Sequence, residues 1–266
     1  MIPKLHQEFL DKAIQILKND LRIVGIAAGG SYITNSMDEF SDIDLVIAIY
    51  PNKYKSVMEG KFEIAKQLGE PLAMFTGEHV GEPRLLICLF GPPLIHVDLK
   101  FVSLEDIENR VEDPVVLWER DNLITDRLKL NEAKFPLLNL QWIEDRFWVW
   151  IHYVATKIGR GEIFEAIEFI SFLRQNVIGP LLLLKNGKLP RGVRKIEFDA
   201  KTELPVLLET IPTYDVQSCV RAIRTLIGLY LDLRTQFKED GFVNCIEAEK
   251  YSVQYLNKIV GEYSNN

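Results

Sequence analysis

Near residue 130 the hydrophobic pattern of this 266-residue chain changes its period, and that change divides the molecule. Up to about residue 125, short β-type runs alternate with helical patterns, whereas from Leu137 onward nearly every segment repeats its apolar residues at helical spacing. Strand-rich and helix-rich segments bury their apolar surfaces in different layer arrangements, so two cores are expected. The reading is an α+β domain over residues 1–130, a mixed sheet with helices, followed by an all-α helical bundle over residues 131–266.

Within the first part, Leu5, Phe9, Ala13, Ile16 and Leu17 fall on one face of a helix over 4–19. The β-branched run from Arg22 to Ala28 then ends at Gly29-Gly30. Ile43–Tyr50 is a dense strand, 53–68 reads as helix, and the apolar runs 84–90 and 94–102 predict a hairpin around Gly91-Pro92-Pro93. Val115–Trp118, after Asp113-Pro114, adds an edge strand. In the second part, Phe147, Ile151, Val154 and Ile158 keep helical period, and Trp148, Trp150 and Tyr153 make that helix apolar on other sides, which predicts burial. Ile163, Ile167, Ile170 and Val177 mark a helix that Gly179-Pro180 should stop or kink. A basic, turn-rich connection at 186–195 leads to closing helices over 216–233 and 246–260.

Composition narrows the function classes. With 47% apolar residues the chain can bury real cores, and no run of roughly 18 consecutive apolar residues offers a membrane span. The first twenty residues interleave charges with apolar positions and lack a secretory core, so a soluble, cytoplasmic protein is expected. Thirty-one basic against 38 acidic residues, net −7, argue against a protein that tracks nucleic-acid phosphates and fit a small-molecule partner. The three cysteines and four histidines have no metal-ligand spacing. Oligomeric state is not legible.

The chemistry concentrates in Gly29-Gly30-Ser31 and Ser41-Asp42-Ile43-Asp44. Asp42 and Asp44 share a strand face, about 7 Å apart along the chain at about 3.3 Å per residue. Two acids opening an apolar strand are costly unless something positive meets them, and Mg²⁺ favours carboxylate oxygens. A polar rim on a surface strand would explain the pair equally well. A second strand, however, presents His96, Asp98 and Lys100 on one face and Ile95, Val97, Leu99 and Phe101 on the other. Were it to neighbour the first, three carboxylates would converge, enough for two metal ions about 4 Å apart in a phosphoryl displacement. Gly30 lets backbone approach a phosphate, Ser31 offers a hydroxyl, and a helix starting there would aim free N–H groups at the anion. The Gly-x-x-x-x-Gly-Lys of a P-loop is absent.

Gly30-Ser31, then Ser41-Asp42-x-Asp44, then Asp98 resemble the DNA polymerase β-like nucleotidyltransferase superfamily over residues 20–102. The layout, with Arg160-Gly161-Glu162 in the helical part, resembles bacterial aminoglycoside and lincosamide nucleotidyltransferases. The resemblance implies that Gly30 and Ser31 hold the β/γ-phosphates of a nucleoside triphosphate, ATP in this reading. Asp42 and Asp44 would bind its Mg²⁺, and Asp98 would complete a second metal site or act as base. The product would be a nucleoside monophosphate, AMP, on a hydroxyl of a small molecule such as an aminoglycoside or lincosamide. In several relatives the base is a glutamate elsewhere, and Glu78, Glu82 and Glu162 stay open for it here. Lys157 reaches the triphosphate in one reading and snorkels at a helix end in the other. Glu162 and Glu165, with an aromatic from 142–153, wall a cationic acceptor between the domains or form a solvated face. Two alternatives share these residues: modification of a protein or tRNA in a toxin–antitoxin system, and a nucleotide-binding module without turnover.

Overall fold

The computed structural model describes residues 2–264. The chain divides between Pro136 and Leu137 into two compact units. In the first, the described residues form a six-stranded sheet in the order β3-β4-β5-β2-β1-β6. β1 (Ile23–Ala28) runs antiparallel to β2 (Ile43–Ile49) and to the edge strand β6 (Val115–Glu119). β2 is parallel to β5 (Ile95–Ser103). β5 forms the expected hairpin with β4 (Glu82–Phe90), and β4 carries β3 (Pro71–Gly77) on its outer edge. One parallel pair among antiparallel ones makes the sheet mixed, as the sequence implies.

Alternation gives the sheet two different faces. Ile43, Leu45, Ile47 and Ile49 of β2, with Val97, Leu99 and Phe101 of β5, pack under α1 (Lys4–Leu17) and α2 (Tyr54–Leu68). The opposite face holds a smaller core, in which Val24, Ala48 and Val102 meet Leu104, Ile107 and Ile124 of α3 (Leu123–Leu128). Asp44 and Asp98 lie on that face too, four residues toward the strand starts from Ala48 and Val102, and stay half-buried.

Two details differ from the sequence reading. The buried stripe of α1 is His6, Leu10, Ala13 and Leu17, with Leu5, Phe9 and Ile16 at its flanks, because a 3.6-residue period centres on every third or fourth position. Strand β3 escaped prediction because its two faces do not separate into apolar and polar: Leu72 and Phe75, on opposite faces, are 54% and 50% exposed, and the ladder with β4 holds the strand.

In the second unit α4 (Leu140–Gly159) packs against α5 (Ile163–Leu173), α9 (Val216–Phe237) and α10 (Ile246–Ser264). Phe147, Trp148, Ile151, Val154 and Ile158 are all buried as expected, while Trp150 and Tyr153 are only partly so. Side chains of Asn139 and Asp215 accept the Trp142 and Ser218 amides at 2.8 and 2.7 Å and cap α4 and α9. Gly179-Pro180 does not end the second helix. A π-helical turn, Arg174–Ile178, absorbs the hydrogen bond that proline cannot make, and α6 (Gly179–Lys185) continues. Gly179 is required by its neighbour, since a Cβ there would lie 2.5 Å from the Gly192 carbonyl oxygen. Between the turn-rich connection at 186–195 and α9, the chain forms two short helices that the sequence did not announce, α7 (Ile196–Asp199) and α8 (Leu204–Leu208). By length and composition Ile163–Lys185 would suit a membrane, yet half of its apolar window is buried, as in a core helix.

At the centre of this unit Glu144 is fully buried. Its carboxylate accepts from Trp148 Nε1 at 3.1 Å, the Tyr230 hydroxyl at 2.6 Å, and Arg234 and the Cys245 amide at 2.9 Å each. Burial, followed by the Glu144 carboxylate beside it, pushes the Tyr230 hydroxyl pKa upward.

Candidate active site

Parallel pairing of β2 with β5 sets Asp44 directly opposite Asp98. Asp42 lies just ahead of β2, one residue before the ladder begins. One carboxylate oxygen from each of Asp42, Asp44 and Asp98 lies within 4.8 Å of the other two. Burial first, and the Asp42 charge further down, hold the Asp98 carboxyl above its ordinary pKa, against the opposing influence of His96. The His96 ring lies 3.1 Å from Asp98 Oδ1. Three hard oxygen donors at this separation fit a divalent cation such as Mg²⁺, and their crowding is relieved when one binds.

The only lysine on the Asp98 face of β5 is committed elsewhere. Lys100 Nζ lies 2.9 Å from Glu82 Oε2, and Arg84 Nε donates to Glu82 Oε1 at 2.7 Å. Arg84 first, with help from Lys100, brings the Glu82 pKa down to about 2. Glu82 is therefore an ion-pair partner in this structure. Because its folded pKa is depressed, the stabilisation it gives is complete above about pH 4.5 and lost as pH falls toward 2. Glu82→Gln is expected to cost about 2 kcal/mol at pH 7, with the gap from the parent closing between pH 4.5 and 2 in denaturant titrations.

β1 delivers the chain to the same place from the other side. Ala28 pairs with Leu45, and the Gly29 amide donates to the Asp44 carbonyl at 2.9 Å. The chain then enters a three-residue 3-10 turn, Gly30–Tyr32, where the sequence suggested the start of a longer helix. Ser31 Oγ is buried there with no hydrogen-bond partner. Gly30 has φ +56°, and a Cβ on it would sit 1.9 Å from Asp44 Oδ2. Both its backbone conformation and the closeness of the Asp44 carboxylate therefore require glycine at this position. Gly30→Ala is expected to lose about 1–2 kcal/mol of stability in urea titrations and to displace the Asp44 carboxylate.

One acid had no signal in the sequence. Glu112, from the segment before β6, accepts the Gly30 amide at 3.4 Å. It sits 82 positions from Gly30 in a stretch without periodicity, and only the pairing of β6 with β1 brings it there.

Lys157, Glu162 and Glu165 all belong to the second unit and meet one another. Lys157 Nζ lies 2.8 Å from Glu162 Oε2 and 2.9 Å from Glu165 Oε2, and the Tyr153 hydroxyl donates to Glu165. Hydrogen bonds to Glu162 and Glu165 raise the lysine pKa, and those from Tyr153 and Lys157 lower that of Glu165. Lys157 is thus an ion-pair partner of both glutamates, whose carboxylates remain 40% and 46% exposed.

The sheet order and the three converging aspartates place a donor set that could hold a divalent cation at one end of the β2–β5 pair. Residues 10–121, most of the N-terminal unit, match the family described as nucleotidyltransferase domain. The protein is accordingly a transferase of the nucleotidyltransferase kind, as the motif resemblance implies. Among solved structures it is similar to an aminoglycoside 6-adenyltransferase from Bacillus subtilis, at 18% identity over 96% of this chain and 98% of the other, with a TM-score of 0.38. A nucleotidyltransferase-like protein from Exiguobacterium sibiricum 255-15 aligns at 13% identity over 94% and 78%, TM-score 0.39. The STING-associated CdnE c-di-GMP synthase from Capnocytophaga granulosa aligns at 14% over 87% and 81%, TM-score 0.34. No curated protein sequence matches the chain.

Proposed function

We propose that the protein transfers a nucleoside monophosphate, AMP from ATP, to a hydroxyl of a small molecule in a Mg²⁺-dependent reaction. The observation that carries this reading is the convergence of Asp42, Asp44 and Asp98 beside the Gly29–Ser31 turn, inside a segment that matches the nucleotidyltransferase family. In it, Asp42 and Asp44 hold the cation that accompanies the triphosphate, and Asp98 completes the donor set. When bound, Mg²⁺ supplies positive charge against the phosphate oxygens. The Gly30 and Ser31 turn receives the terminal phosphates: the buried, unpartnered Ser31 hydroxyl donates to an oxygen, and the anion takes the Gly30 amide from Glu112.

The acceptor oxygen forms a bond to the α-phosphorus while the bond from that phosphorus to the bridging oxygen breaks, and pyrophosphate leaves with the electron pair. The hydroxyl proton passes to Asp98, the carboxylate of the set carried by β5. Aminoglycosides and lincosamides, the acceptors implied by the motif resemblance, head the panel to be tried.

The test is a thermal-shift series with ATP, CTP, GTP and UTP plus Mg²⁺, then pyrophosphate release against the acceptor panel. ATP is expected to raise the unfolding temperature most, and only with Mg²⁺. Absence of a Mg²⁺-dependent shift with every nucleotide would overturn the reading.

A further inference from the structure

Of the three site acids, Asp42 is the one no strand holds. Asp44 and Asp98 are fixed by the β2–β5 ladder, but Asp42 ends an irregular segment that begins after the buried Met37. That segment is wired mainly to itself. The Asp38 amide donates to Ser41 Oγ and that hydroxyl to Asp38 Oδ1, both at 3.0 Å, while the Phe40 amide donates to Asp38 Oδ1 at 3.0 Å. Phe40 itself is 87% exposed, so little packing holds the turn down.

The fastening comes from α1. His6 is 4% exposed, and its Nε2 lies 2.7 Å from the Ser41 carbonyl oxygen, 35 residues away in sequence. A carbonyl only accepts, so Nε2 carries the proton and donates. That carbonyl belongs to the peptide unit joining Ser41 to Asp42, so the hydrogen bond acts on the backbone immediately before the acid. Nδ1 of the same ring is buried with no partner. An orphaned ring nitrogen is a cost that an aliphatic side chain in the Leu10–Ala13–Leu17 stripe would not carry. The hydrogen bond to Ser41 is what the histidine contributes that an aliphatic residue cannot.

We propose that His6 is a positioning residue for Asp42: it clamps the Ser41–Asp42 peptide to α1 so that the Asp42 carboxylate meets those of Asp44 and Asp98. The inference rests on the reading of these acids as a metal site. Its expected signature is a change in metal affinity without a change in fold, because groups that orient a ligand typically alter affinity 10–100-fold.

The experiment compares His6→Gln with His6→Met in the full-length chain. The two side chains have the same length and similar helix propensity, but only Gln keeps an N–H donor. Mn²⁺ binding to the nucleotide-free protein is followed by electron paramagnetic resonance, with unfolding temperatures measured alongside and Asp42→Asn as reference. His6→Met is expected to bind Mn²⁺ about tenfold more weakly than the parent, and His6→Gln to recover most of that loss. Half-saturating Mg²⁺ for pyrophosphate release should rise in parallel, while the nucleotide KM at saturating Mg²⁺ stays put. Equal Mn²⁺ affinity in the Met and Gln variants overturns the proposal, and so does a Met variant that fails to fold beside a folded Gln variant, which would make the role structural. If the parent and Asp42→Asn bind Mn²⁺ alike, the metal-site reading itself falls, and His6 with it.

Discussion

Asparagine at Asp42, Asp44 or Asp98 is expected to lower nucleotide transfer by a factor on the order of 10³ or more, with the unfolding temperature unchanged or raised. The two halves of this result come from the same geometry. Three carboxylate oxygens within 4.8 Å repel one another, and burial and Asp42 together already hold the Asp98 proton more tightly than usual. Removing one charge from the metal-free protein relieves that repulsion. On the proposed function, the same change in the reacting complex would remove a metal ligand and, at Asp98, the proton acceptor. Pyrophosphate release under saturating ATP and Mg²⁺ measures the first half and differential scanning calorimetry without metal the second. Activity retained within a few-fold in any one variant would remove that residue from the machinery.

In the helical unit, Glu144→Ala is expected to destabilise by about 3 kcal/mol, within the range for breaking a buried charge pair. The carboxylate serves four donors: Trp148, Tyr230, Arg234 and the Cys245 amide. Its loss leaves the indole and phenol hydrogens unpaired in the core. Arg234 keeps one partner, Glu249 at 2.9 Å, which limits the damage on the charged side. Urea titration followed by the fluorescence of the buried Trp148 reports this transition. A loss under about 1 kcal/mol would mean that water replaces the carboxylate, against its complete burial here.

Glu144 also shows where the sequence stops being readable. It lies on the same helix as Phe147, Ile151 and Val154, whose burial follows from their period, but nothing local tells a buried glutamate from a solvated one. Its partners Tyr230, Arg234 and Cys245 come from the far end of the chain. The same limit applies to Glu112, and to His6, which looks like one more polar residue at the start of an amphipathic helix.

The local periods did determine much by themselves. Alternation in β2 and β5 set Asp44 apart from Leu45, and Asp98 from Leu99, so each strand had a charged and an apolar face before any partner was known. The change of period near residue 130 announced a mixed α+β part followed by a helical part. Glycines at 29 and 30 marked the turn after β1. These features depend on neighbours a few residues apart, and a linear chain carries them openly.

What tertiary structure alone decided is which faces meet. The parallel register that sets Asp44 against Asp98 is chosen by packing β2 and β5 together under α1 and α2, since a one-residue slip would turn the apolar set outward. That choice also fills the space beside Gly30 with the Asp44 carboxylate, brings Glu112 to the Gly30 amide, and ties Ser41 to His6. Each of these contacts joins residues far apart in the chain through surfaces that exist only once the sheet has formed, so no local pattern could encode them.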